Sequence, residues 1–271
     1  MAESGNGLDG LGIDPRITKF LKNNWGIESF FPPQAEALPP VLEGNNLMLT
    51  IPTASGKSLV AYIGMINRLI GDMKGMRGAY VVPLKALANE KFEDLTEIAN
   101  SVGLTVGLAV GDRGGESSGV ENSDILVCTS EKLDSILRTK VGFLENLGVV
   151  VSDEFHLLND YSRGPTLEVT LSRIMHVRPD AQIIALSATV GNSEELSNWI
   201  GATHVKSDWR PIPLHCGIMT DLDVSIHRIE GGTDDELVKR RSLPGRKDQR
   251  LQAALLDTVS TGGQLLVFVS S

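Results

Sequence analysis

Pro52-Thr53-Ala54-Ser55-Gly56-Lys57-Ser58 lies between a short apolar run and a longer amphipathic one. A phosphate chain is held by backbone N–H groups curled around it, a helix N-terminus behind it, a lysine on its outer oxygens and a hydroxyl on its magnesium ion. Gly56, Lys57 and Ser58 supply those parts, and Thr53, Ala54 and Ser55 form the turn that leads into them. The general pattern has glycine where this chain has Ile51, so the match is incomplete, and a Gly-Lys-Ser triplet in an ordinary loop is the plain alternative. A second element, Val149-Val150-Val151-Ser152-Asp153-Glu154-Phe155-His156, is an apolar strand that delivers two acids at its carboxyl end. In an open parallel sheet that edge is where ligands bind. Asp153 there can hold Mg²⁺ through water, and Glu154 can polarise the water that attacks a terminal phosphate. The alternative is a solvated strand-end pair, and the order of the two elements along the chain favours chemistry.

Such residues need strands that end at one common edge. From Asp14 to the low 200s, short apolar runs alternate with longer amphipathic segments, the pattern of β-α-β units feeding a parallel sheet. Strands are expected at 47–51, 79–82, 104–110, 125–128, 149–151 and 183–186, and helices at 57–70, 84–101, 130–138, 165–176 and 193–200. The gaps are long enough for the crossovers that parallel strands require. Residues 1–13, mostly small, polar and glycine-rich, are expected to be a disordered head, and 14–206 an α/β domain with a mostly parallel sheet and helices on both faces. Pro211 and Pro213 then break the pattern, and 207–262 reads as a linker with a possible hairpin, a turn at Gly231-Gly232, a basic stretch from Lys239 to Arg250 and a helix at 248–260. The apolar run at 265–269 places the first strand of a second α/β domain at 263–271.

Composition narrows the class. Hydrophobic residues make up 41% of the 271 and charged residues 22%, which excludes disordered, collagen-like and disulfide-scaffold proteins. The formal charge is −9, from 25 Lys plus Arg against 34 Asp plus Glu, so nucleic-acid binding would need a local basic surface. Cys128 and Cys216 stand far apart with no Cys or His at metal-ligand spacing, which argues against zinc and suits a reducing cytoplasm. No signal peptide or membrane-spanning run is apparent. His176, His204, His215 and His227 read as structural, and Trp25, Trp199 and Trp209 as packing residues.

Thr53 to Ser58, Asp153-Glu154-Phe155-His156 and Ser187-Ala188-Thr189 resemble motifs I, II and III of superfamily two helicases, in the expected order. The likeness narrows in Phe31-Pro32-Pro33-Gln34-Ala35-Glu36-Ala37, Val82-Pro83-Leu84-Lys85-Ala86-Leu87, Thr129-Ser130-Glu131-Lys132, Arg163-Gly164-Pro165-Thr166-Leu167-Glu168 and Ser207-Asp208-Trp209-Arg210-Pro211. Together these resemble the archaeal repair helicases related to the helicase part of theta-type DNA polymerases, and their RNA-acting cousins. The likeness runs from about residue 14 to the end, and Ser152 departs from the aliphatic residue usual before the acids.

That resemblance implies a RecA-like P-loop NTPase domain, the first motor lobe of an ATP-dependent DNA helicase that walks 3′ to 5′ on single-stranded DNA and unwinds forks. ATP and Mg²⁺ are the implied cofactors, single-stranded or forked DNA the partner, and a cytoplasmic monomer the working form. Gln34 would read adenine with Phe31 close to the base. Pro83, Lys85, Gly111, Asp112 and Thr129 would line the nucleic-acid track, and Ser187, Ala188 and Thr189 would couple it to the phosphates through His156. In the family the second lobe brings the arginine that stabilises transition-state charge, so residues 1–271 alone would bind nucleotide and turn it over slowly. Two alternatives stay open: an RNA helicase of the same superfamily, because backbone-gripping motifs do not reveal the sugar, and a nucleotide-dependent scaffold.

Overall fold

The computed structural model describes residues 7–111, 117–118, 122–189, 191–230 and 234–269. It divides into two compact units, Met1–Trp209 and Arg210–Ser271. The first holds eight strands, β1 (Leu47–Thr50), β2 (Arg77–Val82), β3 (Val106–Ala109), β4 (Ser117–Ser118), β5 (Ile125–Thr129), β6 (Leu147–Ser152), β7 (Gln182–Ser187) and β8 (Thr203–Lys206). They form one sheet in the order β4-β3-β5-β2-β6-β7-β1-β8. All neighbours pair in parallel except the two-residue β4, which runs antiparallel at the edge.

Alternation along the strands explains why they read as unbroken apolar runs. Leu47, Leu49, Tyr80, Val82, Ile125, Val127, Val149 and Val151 join one core cluster, and Met48, Ala79, Val81, Leu126, Cys128 and Val150 join another. The first cluster also takes residues of α1 (Pro15–Asn24), α2 (Pro32–Leu42), α3 (Lys57–Ile70) and α4 (Lys85–Asn100). The second takes α5 (Ser130–Thr139), α6 (Val141–Glu145), α7 (Gly164–Val177) and Leu196 of α8 (Ser193–Trp199). A sheet covered on both faces has no polar side, so alternation disappears from the sequence. All six expected strands form. β8 escapes a sequence reading because only Val205 of its four residues is buried, and α2 because Pro39 and Pro40 lie inside it.

At the N-terminal end one expectation is corrected. The head is ordered from Gly7: Leu8 and Ile13 are buried in the first core cluster, and Gly7 bridges to Ser29. Two apolar side chains among glycines were enough to dock it. Residues 264–269 have no partner strand among the described residues, and Leu266, Phe268 and Val269 are exposed, so the expected strand of a second domain is not tested there. The second unit contains a three-stranded antiparallel sheet, β9 (His215–Thr220), β10 (Asp223–Glu230) and β11 (Asp234–Ser242), in the order β11-β10-β9. A short 3₁₀ turn (Lys247–Gln249) and α9 (Arg250–Ser260) follow it. No described helix is long and apolar enough to cross a membrane.

Between β6 and α7 runs a 3₁₀ turn, Phe155–Asn159. The start of α7 sits so close to it that a Cβ on Gly164 would lie 2.1 Å from the Leu158 carbonyl oxygen. Backbone cannot retreat as a side-chain tip can. Gly164→Ala is therefore expected to cost about 1–3 kcal/mol of unfolding free energy, read by urea denaturation, whereas Gly142→Ala, with nothing within 4 Å, should be neutral or slightly stabilising.

Candidate active site

Parallel pairing sends every strand except β4 toward the same edge, and the sequence-predicted residues follow. The 50–57 segment leaves β1, Pro83 and Lys85 follow β2, Gly111 follows β3, Thr129 ends β5, Asp153 and Glu154 follow β6, and Ser187 ends β7. The strand order then sorts them. The ends of β6, β7 and β1 adjoin one another and carry phosphate-type chemistry, and the ends of β3, β5 and β2 adjoin on the other side.

The loop from Thr53 to Gly56 turns through two left-handed residues, Ala54 at φ 66° and Gly56 at φ 73°. A side chain at Gly56 would also meet Gln34 Nε2 at 2.3 Å, so the position demands glycine for space as well as conformation. Gln34 is buried and its amide holds the loop. Nε2 donates to the Gly56 carbonyl at 3.0 Å and the Ser55 carbonyl at 3.4 Å, while Oε1 accepts the Phe31 N–H at 2.9 Å. The residue expected to read a base is thus engaged with the phosphate loop, although it still lines the adjoining cavity of about 610 Å³ with Phe31, Gly56, Ser58 and Tyr62. Phe31 packs against Trp209, ring centroids 4.7 Å apart. Lys57, the first residue of α3, is buried and its ammonium donates to the Ile51 carbonyl at 3.2 Å.

The acids stand one strand away from β7 and two from β1. Asp153 is 9% exposed; its Oδ1 accepts the Glu154 N–H at 2.9 Å and its Oδ2 accepts the Tyr80 hydroxyl at 3.0 Å. Glu154 sits at φ 50°, ψ 47°, a left-handed conformation that costs a non-glycine residue about 1–2 kcal/mol. It turns the chain from strand into the 3₁₀ segment. Its Oε2 lies 3.4 Å from His156 Nδ1, ion-pair distance without hydrogen-bond alignment. Ser187 is buried and its hydroxyl donates to the Ala188 carbonyl at 2.8 Å. Thr189 is exposed, and among the described residues His156 makes no hydrogen bond to either Ser187 or Thr189.

Tyr80 had no signal in the sequence beyond being a polar aromatic in an apolar run. Burial and the neighbouring Asp153 charge push its phenol well above the usual tyrosine range, and burial with Asp94 beside it does the same to Tyr62. Both phenols therefore keep their protons and act as donors, Tyr80 to Asp153 and Tyr62 to Asp94 Oδ2 at 3.0 Å. The rings of Tyr62 and Tyr80, 5.6 Å apart between centroids, thus carry one donor to each of two carboxylates.

On the other half of the edge, Pro83, Lys85, Gly111 and Thr129 line an open groove of about 810 Å³. Thr129 caps α5, its Oγ1 accepting the Lys132 N–H at 3.4 Å. Gly111 has φ 100°, and the Lys85 ammonium lies 3.6 Å from where its Cβ would be. Asp112, expected beside it, lies outside the described residues. Lys132 and Arg163 also line this groove, and sequence reasoning gave neither a role.

A family model described as DEAD/DEAH box helicase matches residues 31–196. The chain belongs to the DEAD/DEAH box helicase family. ATP-dependent DNA helicase Hel308 of Thermococcus kodakarensis is 43% identical over 265 residues, 97% of this chain and 22% of that protein. Hel308 of Pyrococcus horikoshii is 44% identical over 212 residues, 78% of this chain and 29% of the relative. The chain spans about a fifth to a third of the length of the curated relatives it matches. Among solved structures, S. cerevisiae Dbp5 bound to RNA and ADP BeF3 shares the fold at TM-score 0.66 and 21% identity, over 75% of this chain and 52% of that one. The DUF1998 helicase MrfA bound to DNA gives a TM-score of 0.62 at 25% identity, over 73% of this chain and 30% of that one.

Within this helicase domain the residues fit a nucleoside triphosphate with a hard divalent cation. A glycine cradle, a lysine at a helix start, a serine hydroxyl and one buried carboxylate share the edge. Among the described residues no group of three or more His, Cys, Asp and Glu could hold a metal by itself. Magnesium suits such a site, since it keeps several waters and takes one or two carboxylates plus substrate phosphates. Tyr80→Phe keeps the ring packed on Tyr62, 5.6 Å between centroids, but removes the hydroxyl that orients Asp153. Magnesium-dependent nucleotide affinity, measured with a fluorescent analogue, should fall about tenfold, the size of one hydrogen bond to a charged group. Affinity in excess EDTA should not change.

Proposed function

We propose that this chain is the nucleotide-binding motor lobe of an ATP-dependent DNA helicase that hydrolyses ATP with Mg²⁺ and moves 3′ to 5′ along single-stranded DNA to open forks. The observation that carries this reading is the division of one sheet edge between a phosphate loop with its acid pair and an adjoining groove with Lys85 and Thr129. The names of the Hel308 relatives support DNA as the polymer.

In this reading Lys57 leaves the loop carbonyls for the outer phosphate oxygens, a short move because its ammonium already sits inside the loop. Ser58 Oγ and Asp153 would hold the magnesium ion, which supplies positive charge against the phosphate oxygens in the transition state. Glu154 accepts the proton of the attacking water, with His156 beside its Oε2. Gln34 ties the cavity wall to the loop, so base and phosphate positions are set by one side chain. Pro83, Lys85, Gly111 and Thr129 hold the strand through its backbone, without reading bases.

The deciding measurement is ATP hydrolysis, by this lobe joined to the second motor lobe, with single-stranded DNA, single-stranded RNA and no nucleic acid. Stimulation by DNA is expected; stimulation by RNA alone would transfer the substrate to RNA, and none by either would leave a nucleotide-dependent scaffold. Two variants test the assignment of the acids and the lysine. Glu154→Gln should retain nucleotide affinity within about twofold and lose turnover by about 10² or more. Lys57→Ala should lose about tenfold or more in nucleotide affinity, since a charge-assisted contact contributes about 1.5–3 kcal/mol.

A further inference from the structure

Arg163 occupies a position that the function above does not use. It lines the groove together with Lys85, Thr129 and Lys132. It also lines a cavity of about 20 Å³ whose other walls include Ser130, Ser152, Asp153 and Glu154. Such a space holds about one water, so at Arg163 the partition between groove and catalytic acids is a single side chain. Pro83 is the other residue common to both.

The local backbone makes this placement rigid. Asp160 Oδ1 accepts the Ser162 N–H at 2.8 Å and the Arg163 N–H at 3.0 Å, and the Asp160 carbonyl accepts the Gly164 N–H at 2.8 Å. Gly164 is pressed against Leu158 with no room for a Cβ. The segment from Glu154 to Arg163 is thus a short 3₁₀ turn, a side-chain-capped bend and the start of a helix, with no slack between acid and arginine. The Arg163 side chain makes no hydrogen bond among the described residues; Asp160 caps its backbone N–H and feels its charge, and the guanidinium donors are left for another acceptor. A half-buried guanidinium facing a groove with Lys85 and Lys132, where Glu131 is the one acid among the described lining residues, is suited to a phosphodiester, which it can grip with two parallel N–H donors.

We propose that Arg163 grips a backbone phosphate of the strand in this groove and ties strand occupancy to the Asp153–Glu154 loop. The proposal rests on the nucleic-acid reading of the groove and adds to it a contact and a route to the acids. One phosphate contact on a single strand contributes about 0.7 to the slope of log affinity against log salt.

The test uses this chain with a fluorescein-labelled oligothymidylate, titrated by anisotropy across a potassium chloride series starting at low salt, and a fluorescent ATP analogue titrated with and without the oligonucleotide. Arg163→Ala should weaken strand binding about tenfold and lower the salt slope by about 0.7. Arg163→Lys should restore the slope but only part of the affinity, because it returns the charge without the fork. Nucleotide affinity without oligonucleotide should match wild type in both variants, which separates this role from misfolding. The oligonucleotide should raise nucleotide affinity in wild type and not in Arg163→Ala, since coupling between two sites is reciprocal. If Lys85→Ala weakens strand binding while Arg163→Ala leaves affinity and slope unchanged, the groove stands and Arg163 is outside the track. Coupling that persists in Arg163→Ala would overturn the route to the acids. A wild-type chain that binds no strand at low salt would remove the groove reading itself, and this inference with it.

Discussion

Every central strand of the sheet is covered twice, by α1 to α4 on one side and α5 to α8 on the other, and this double burial constrains where polar chemistry can stand. A charged group on either face would have to give up its water without compensation. The strand ends are the exception, because the chain leaves the sheet there and exposes backbone. Parallel pairing then gathers those ends at one edge, and the order β3-β5-β2-β6-β7-β1 decides which ends are neighbours. In the proposed function, phosphate chemistry falls to β1, β6 and β7 and backbone gripping to β2, β3 and β5, and the boundary runs between β2 and β6. Arg163 comes from the loop that follows β6 and lines the groove of the other group. The division of labour is thus a consequence of topology.

Tyr80 shows how a buried polar group can be admitted to such a sheet. Its ring fills the first core cluster between Tyr62 and the strands, while its hydroxyl escapes desolvation without a partner by donating to Asp153. The same bond limits the freedom of a carboxylate that would otherwise sample several rotamers. Because burial holds the phenol protonated, the donor does not change character across the neutral range.

The fold was largely legible because its signals are local: apolar runs of strand length, amphipathic runs between them, and gaps long enough to cross over. What escaped reading depended on partners. β8 offers one buried side chain in four, α2 hides behind Pro39 and Pro40, and Leu8 acquires its meaning only when α1 packs over it. For the site, Gly56, Lys57, Ser58, Asp153 and Glu154 were readable because each sits at a strand end in a recognisable order. Tyr80 and Arg163 were not. Tyr80 matters through a carboxylate seventy-three positions away, and Arg163 through a fold-back that leaves it between two cavities.

Strain at the edge supports the same interpretation from an independent direction. Among the described residues three non-glycine residues have positive φ, and two of them, Ala54 and Glu154, flank the phosphate site. Each costs about 1–2 kcal/mol relative to ordinary backbone. Such conformations persist only when their surroundings over-determine them, and here the surroundings are the buried ends of β1 and β6 together with Gln34 on one loop and Asp153 on the other. Relaxing Ala54 would unwind the turn that presents its backbone N–H groups, and relaxing Glu154 would swing its carboxylate away from His156. The two strained residues belong to different elements, one on the turn after β1 and one on the turn after β6, so the packing of no single element accounts for both.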